Sequence, residues 1–174
     1  MDNHRMLGIS QNARRLLADA ALLRQHHRLP TALLLLLCLV DALAPRPAGH
    51  GRVGERFIAF LDDALIKYSD TGVNLMKVEI PETGELLSFG HILYTYMRNP
   101  LVHSGESLDV RSHRLVAHVV LDFEDERLIC RSDNPSGRVI IGAKWLIDRL
   151  FTILDCVLKN AEQGHAGDAA KPRA

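Results

Sequence analysis

The apolar residues along this chain follow two different spacings. Over most of the N-terminal 104 residues, and again after residue 142, they recur every three to four positions, which is typical of amphipathic helices. In the segment between, the spacing drops to two, which is typical of a strand. The pattern predicts a mainly α protein: an antiparallel bundle of four to five helices with a small antiparallel β-hairpin or meander inserted before the last helix.

Four helical segments precede the β segment. The second has Pro30 in its first turn and an uninterrupted apolar run over residues 32–40. That run is shorter than the about 20 residues of a membrane span, so it predicts a buried core helix. Ser10 is the predicted N-cap of the first helix, which forms a helical hairpin with the second. The four predicted helices cover residues 10–27, 30–44, 53–68 and 84–104, with breakers over residues 45–51 and a loop over residues 69–83.

The alternating segment runs from Leu115 to Phe123 and predicts a strand. Turn signals at residues 124–126 and 134–137 divide the following chain into further short strands. The C-terminal tail is rich in glycine, alanine and charge, a composition typical of disorder. The resulting boundaries are a β insertion over residues 113–141, a last helix over residues 143–161, a disordered tail over residues 163–174 and a single domain over residues 1–162.

Composition limits the classes of function. With 174 residues, 47% of them hydrophobic and 24% charged, the chain is long enough for one domain with a real core. Its 21 basic and 21 acidic side chains give a formal net charge of zero, so any site for an anion such as RNA must be local. The three cysteines form no CxxC pair and no secretory signal is visible, which predicts a cytoplasmic protein with buried thiols and no membrane contact.

Candidate chemistry concentrates at the end of the fourth predicted helix. There the chain reads Arg98-Asn99-Pro100-Leu101-Val102-His103. The apolar residues of this helix form one face, so Arg98 is predicted to point away from the core, while Asn99 and His103 share a flank. On an ideal helix Arg98 and His103 lie roughly 140° apart. One straight helix therefore would not aim both side chains at one atom.

Three arrangements would bring Arg98 and His103 together. In the first, the long Arg98 side chain bends round the helix. In the second, Pro100 distorts the turn, because it lacks an amide and crowds the carbonyl of Tyr96. In the third, a second copy of the helix supplies the missing partner, which predicts a dimer.

With these residues, the chain resembles the HEPN superfamily, whose signature is an arginine and a histidine separated by four to six residues late in a helical bundle. Asn99 fits the polar residue often found after the arginine. The resemblance covers residues 10–104 and the last helix, and the β segment is an addition to the minimal HEPN-like bundle. The resemblance implies a homodimer and a metal-independent endoribonuclease. Such an enzyme cleaves RNA through the ribose 2′-hydroxyl and leaves a cyclic phosphate. A toxin or defence effector with an antitoxin-like partner protein would fit such an activity.

The residue types suit this chemistry. The Arg98 guanidinium stays charged and presents a planar fork to phosphate oxygens. The His103 imidazole titrates near neutrality, and the last turn of a helix favours its charged form, which suits a general acid. No metal site or cofactor is predicted, because the histidines lack metal-ligand spacing. The catalytic candidates are Arg98, Asn99 and His103, and the weaker substrate-binding candidates are His91, Tyr94 and Thr95.

Structural interpretations of the same residues remain open. His103 would bond the last carbonyls of its helix, and Arg98 would pair with an exposed carboxylate or stack on Tyr94. Asp41, which ends the leucine run, needs a partner if it is buried, and Arg98 is one option. The alternative function is a non-catalytic HEPN-like module that binds a nucleotide or a partner protein, with the β segment as an interaction edge.

Overall fold

The computed structural model of the protein describes residues 3–45, 52–68, 77–80, 84–99, 102, 112–116, 119–124, 126–131 and 138–169. The helices in these ranges are α1 (Asn3–Gln25), α2 (Leu29–Leu43), α3 (Val53–Tyr68), α4 (Phe89–Leu93) and α5 (Ala143–Ala169), and a π-helical turn (Tyr94–Arg98) continues α4. The strands are β1 (Lys77–Ile80), β2 (Glu85–Ser88), β3 (Ser112–Val116), β4 (Val119–Asp122), β5 (Leu128–Arg131) and β6 (Arg138–Gly142). The predicted fold class, mainly helical with strands before the last helix, is confirmed.

Helix α2 forms the centre of the bundle. Its leucine run is buried, with Leu33, Leu36 and Leu37 at 0% exposure, and it packs against α1, α3 and α5. A helix that is apolar on all sides requires neighbours on several sides, which these three helices provide. The predicted core helix is confirmed. None of the helices in the described ranges combines the length and the apolar character needed to cross a membrane.

A short turn reverses the chain between α1 and α2. His27 has a left-handed backbone with φ of 56°, and the amide of Arg28 donates to the carbonyl of Leu23 at 2.8 Å, which closes the end of α1. Pro30 lies in the first turn of α2, where its missing amide is not needed. The predicted helical hairpin is therefore present.

The β segment forms a four-stranded sheet with the strand order β3-β4-β6-β5. An antiparallel pair is present, but it joins β3 to β4, and these two strands divide the span that is predicted as one strand from Leu115 to Phe123. β6 enters between β4 and β5 and pairs with β4 in parallel, so β5 does not pair with β4 across the predicted turn at residues 124–126. The order differs from a meander, in which β5 would lie next to β4. Val119, Val120 and Leu121 of β4 are all buried, as in a strand that is covered on both faces.

The chain before the motif differs most from the prediction. The predicted fourth helix begins at residue 84, but Gly84 has a left-handed φ of 67° and is followed by strand β2, which pairs with β1. β1 itself lies in the segment that is predicted as a loop. Helix α4 begins only at Phe89, because the hydroxyl of Ser88 caps it by accepting the amide of His91 at 3.2 Å.

Helices α1 and α5 are longer than predicted. The predicted N-cap Ser10 lies inside α1, which starts at Asn3 in a segment that contains no proline to stop it. α5 continues beyond Gln163 to Ala169 through isolated glycines, each of which a helix tolerates at about 1 kcal/mol. This part of the tail is therefore helical rather than disordered, and residues 170–174 lie outside the described residues.

Ion pairs join α1 to α5. Arg14 contacts Asp155 at 2.5 Å and Glu162 at 3.0 Å, and Lys159 contacts Asp155 at 2.7 Å from one turn further along α5. The hydrogen bonds from Lys159 and Arg14 hold the pKa of Asp155 below its ordinary value of 3.8, against the opposing effect of desolvation. Folding is therefore linked to the ionisation of Asp155.

We expect Asp155→Asn to destabilise the protein at about pH 7 and to do so progressively less as the pH falls below about 4. A carboxylate whose pKa is lowered by folding stabilises the protein above its ordinary pKa, and this contribution is lost as the pH falls below about 4. Because these side chains are partly exposed, the loss near neutrality should be about 1 kcal/mol at most. Urea unfolding of both proteins measures the difference, and a difference that does not change with pH would contradict this linkage.

Helices α3 and α4 approach closely at Gly90. Its amide donates to Oδ1 of Asp62 at 2.9 Å, and a Cβ on Gly90 would lie 2.6 Å from that oxygen and 3.1 Å from the carbonyl oxygen of Ile58. We expect Gly90→Ala to lower the free energy of unfolding by about 1–3 kcal/mol, because overpacking outweighs the better helix propensity of alanine. Denaturation followed by circular dichroism tests this. Adding Asp62→Ala should restore part of the loss, and a stabilised Gly90→Ala protein would rule out the close approach.

Candidate functional site around Arg98

The helix departs from α geometry where the motif begins. Residues Tyr94–Arg98 form a π-helical turn, in which the amide of Asn99 donates to the carbonyl of Tyr94, five residues back. The second residue after this turn is Pro100, which has no amide to continue an α-helix. Such turns are rare and often lie at functional sites. The helix is therefore distorted before Pro100, while Pro100 and His103 themselves lie outside the described residues.

The Arg98 guanidinium is bound from two sides by polar side chains. Its Nε and Nη2 donate to Oδ2 of Asp41, at 2.8 and 2.5 Å, and its Nη1 donates to Oδ1 of Asn99 at 3.2 Å. The two charged side chains are only 13% and 19% exposed. Arg98 thus lies against the last turn of α2 rather than on an open helix face. The π-helical turn is wider than an α-helical turn, so the side chains after its first residue point in other directions around the helix axis than they would in an α-helix.

Asp41 is the residue whose partner the sequence leaves open. It lies in the last turn of α2, where the helix dipole disfavours an anion. A half-buried carboxylate in this position requires a nearby cation, which Arg98 supplies from 57 residues further along the chain. The suggestion that Arg98 is the partner of Asp41 is confirmed.

Tyr94 provides an aromatic surface for Arg98. The guanidinium carbon lies 5.6 Å from the centre of the Tyr94 ring, within the range of a cation–π contact. Tyr94 in turn packs on Phe57 of α3, with ring centres 5.3 Å apart. Gly54 makes room for it, since a Cβ there would lie 2.5 Å from the Tyr94 ring. The predicted contact of Arg98 with Tyr94 is thus present, and Arg98 also pairs with a carboxylate, although Asp41 is mostly buried rather than exposed as predicted.

The other predicted site residues differ in their position relative to the Arg98 guanidinium. Asn99 is half-buried and bound to Arg98, so it orients the guanidinium in this structure. His91 and Thr95 are half-buried, and the amide of His91 serves the cap of α4. His103 lies outside the described residues. The structure therefore brings together Arg98, Asn99 and Tyr94 of the predicted set, and adds Asp41.

Sequence reasoning missed Gly54 and Phe57 as parts of this site. Phe57 reads as an ordinary core residue of an amphipathic helix, which it also is at 0% exposure. Gly54 carries a weak signal, because glycine in the first turn of such a helix suggests a close approach of another group. Neither residue reveals from the sequence alone that Tyr94 is the group it contacts.

Cys38 lies one turn before Asp41 in α2. Burial raises the pKa of its thiol, the nearby Arg98 lowers it, and Asp41 raises it again. The net shift is upward, so Cys38 stays a thiol and is a poor nucleophile near neutrality. Cys38 and Cys156 are half-buried rather than buried as predicted, and the side chain of Cys130 lies outside the described residues.

No family model, curated protein or solved structure matches the chain. Among the residues that the structure describes, no three His, Cys, Asp or Glu side chains lie together in a way that could hold a metal ion. What the site can do follows from its own groups: a cation with a fixed orientation, a carboxylate and an amide beside it, and an aromatic ring beneath it. Such a group can bind one anion, such as a phosphodiester, in a defined geometry.

Proposed function

We propose that this protein is a HEPN-like, metal-independent endoribonuclease that works as a homodimer, with Arg98 as the phosphate-binding group and His103 as the proton-transfer group. The observation that supports this best is the fixed orientation of Arg98 by Asp41, Asn99 and Tyr94 at the end of the motif helix. Catalysis of phosphoryl transfer depends on charge that is already oriented before the transition state forms. A role as a toxin or defence effector in the cytoplasm, held in check by an antitoxin-like protein, extends this proposal.

The reaction would be an internal transesterification of RNA. The ribose 2′-oxygen loses its proton and attacks phosphorus, the bond from phosphorus to the 5′-oxygen breaks, and the leaving oxygen takes up a proton. Arg98 would stabilise the charge on the pentacoordinate phosphorus, and the imidazole of His103 would move the protons. The products are a 2′,3′-cyclic phosphate and a 5′-hydroxyl.

A homodimer would solve the angular problem of the motif. Arg98 and His103 lie roughly 140° apart on an ideal helix, so facing copies of the helix bring the two kinds of side chain together more readily than one copy does. Two copies also supply two imidazoles, one to accept the 2′ proton and one to protonate the 5′-oxygen. We expect light scattering to give twice the 19.4 kDa mass of one chain, and a strictly monomeric protein would exclude the composite site.

The test is cleavage of mixed RNA by the purified protein in excess chelator. We expect the parent to cleave and His103→Ala to lose about 10²-fold or more in rate, as the loss of a general acid does. Arg98→Lys should also lose activity, because lysine keeps the charge but not the planar fork. The matched controls are Arg24→Lys, whose partner Asp148 lies in α5, and His27→Ala at an exposed turn. Activity equal to the parent in both motif variants would exclude this function, as would an inactive parent.

A second function is favoured by the sheet. β3 and β5 lie at its two edges among the described strands, and an edge strand can pair with a strand of another chain. In this reading the protein is a non-catalytic module that binds a nucleotide or a partner protein, which suits its zero net charge. An inert protein that purifies with a nucleotide or a partner chain would support this function over RNA cleavage.

A further inference from the structure

We infer that Asp41 is a positioning residue of the proposed ribonuclease site: it fixes the plane and direction of the Arg98 guanidinium and does not itself touch the substrate. This inference rests on the proposed function. The observation behind it is that two nitrogens of Arg98 donate to the same Asp41 oxygen, at 2.8 and 2.5 Å.

The contact geometry restricts the guanidinium in three ways. Nε and Nη2 both bind Asp41, so rotation about the last side-chain bonds is blocked along that edge. Nη1 binds Asn99, which fixes the opposite end of the guanidinium. The Tyr94 ring lies beneath the guanidinium carbon at 5.6 Å and limits tilting. Because planar recognition of phosphate depends on the direction of the fork, the residue that sets this direction controls how well Arg98 acts.

Asp41 could instead act as a competitor that phosphate must displace. Burial argues against this role, since the two side chains are only 13% and 19% exposed. Separating such a pair leaves a carboxylate without compensation in a poorly solvated place, at the end of α2 where the helix dipole already disfavours it. The pair therefore stays together when an anion approaches, and Asp41 acts through Arg98.

The deciding experiment compares Asp41→Asn, Asp41→Glu and the control Asp148→Asn with the parent in RNA cleavage under chelator. Asparagine keeps the size and one oxygen acceptor but removes the charge, and glutamate keeps the charge but moves it by one methylene. Asp148, near the start of α5, pairs with Arg24 in a more exposed contact. Thermal unfolding of each variant checks that it is folded.

We expect kcat to fall about 10- to 100-fold in Asp41→Asn and at least about 10-fold in Asp41→Glu, with KM within about twofold and the control unchanged. A purely structural ion pair would tolerate glutamate, so an active Asp41→Glu protein overturns the inference. If Asp41→Asn does not fold, the activity of Asp41→Glu alone is the deciding result. Faster cleavage or tighter RNA binding by Asp41→Asn also overturns the inference, because it would mean that Asp41 competes with the RNA phosphate for Arg98. An inactive parent instead overturns the proposed function, and this inference with it.

Discussion

Replacing Arg98 by methionine is expected to lower the free energy of unfolding by about 3 kcal/mol. The substitution removes the cation that compensates Asp41 while the carboxylate remains mostly buried at the end of α2. Breaking a buried ion pair in this way costs about 3–5 kcal/mol, and the remaining solvent contact of both side chains places the effect at the lower end. Urea unfolding at neutral pH, followed by the fluorescence of Trp145, the single tryptophan, measures the loss.

The double variant Arg98→Met with Asp41→Leu is the control for this prediction. Replacing both members of a buried pair by apolar groups of similar volume is often neutral or stabilising. We therefore expect the double variant to be more stable than Arg98→Met alone, although it should be inactive if Arg98 binds phosphate. A double variant that is less stable than the single one would show that Asp41 has other essential contacts.

Phe57→Ala is expected to lower the free energy of unfolding by about 3–4 kcal/mol. The side chain is fully buried, and truncating phenylalanine in a core costs about 3–5 kcal/mol through lost burial and the cavity left behind. The same change removes the ring on which Tyr94 packs, at 5.3 Å between ring centres. We therefore also expect a weaker hold on Arg98 and a lower rate of RNA cleavage.

Phe60→Ala provides a matched control on the same helix. Phe60 is only partly buried against the core, so its loss should be clearly smaller than that of Phe57→Ala. Phe57→Leu, which keeps most of the apolar volume, should recover stability but not the aromatic contact with Tyr94. Equal losses in Phe57→Ala and Phe60→Ala would contradict the central position of Phe57.

The sequence predicts the central helices well. The bounds of α2 and α3 agree with their predictions to within one residue at the ends, since the apolar spacing is regular and strong breakers flank it. Proline in the first turn marks the start of α2, and the breaker cluster over residues 45–51 follows its end. These signals are local, so they can be read without knowing the rest of the fold.

The segment before the motif and the order of the sheet could not be read in this way. Leu86 and Leu87 fit a helix pattern and a strand pattern equally well, and only pairing with β1 decides for a strand. The partner of β4 is likewise a matter of tertiary packing, because a buried strand has the same sequence whether its neighbour is parallel or antiparallel.

The candidate site was partly predictable. Asp41 at the end of an apolar run signals a need for a partner, and Arg98 was one option, but their distance of 57 residues hides the contact. Pro100 predicts a disturbance of the helix near this position, and a π-helical turn precedes it over Tyr94–Arg98. The role of His103 stays a prediction.

The position of β6 determines when the molecule can be completed during synthesis. β6 is the last of the described strands, yet it lies between β4 and β5, and β5 has β6 as its neighbour in the sheet. A nascent chain that has emerged only through Arg131 carries β5 without the strand that pairs with it. Helix α5 starts at Ala143, directly after β6 ends at Gly142. The strand that closes the sheet and the helix that fills the bundle therefore leave the ribosome one after the other, so the sheet and the bundle are completed at nearly the same stage of translation.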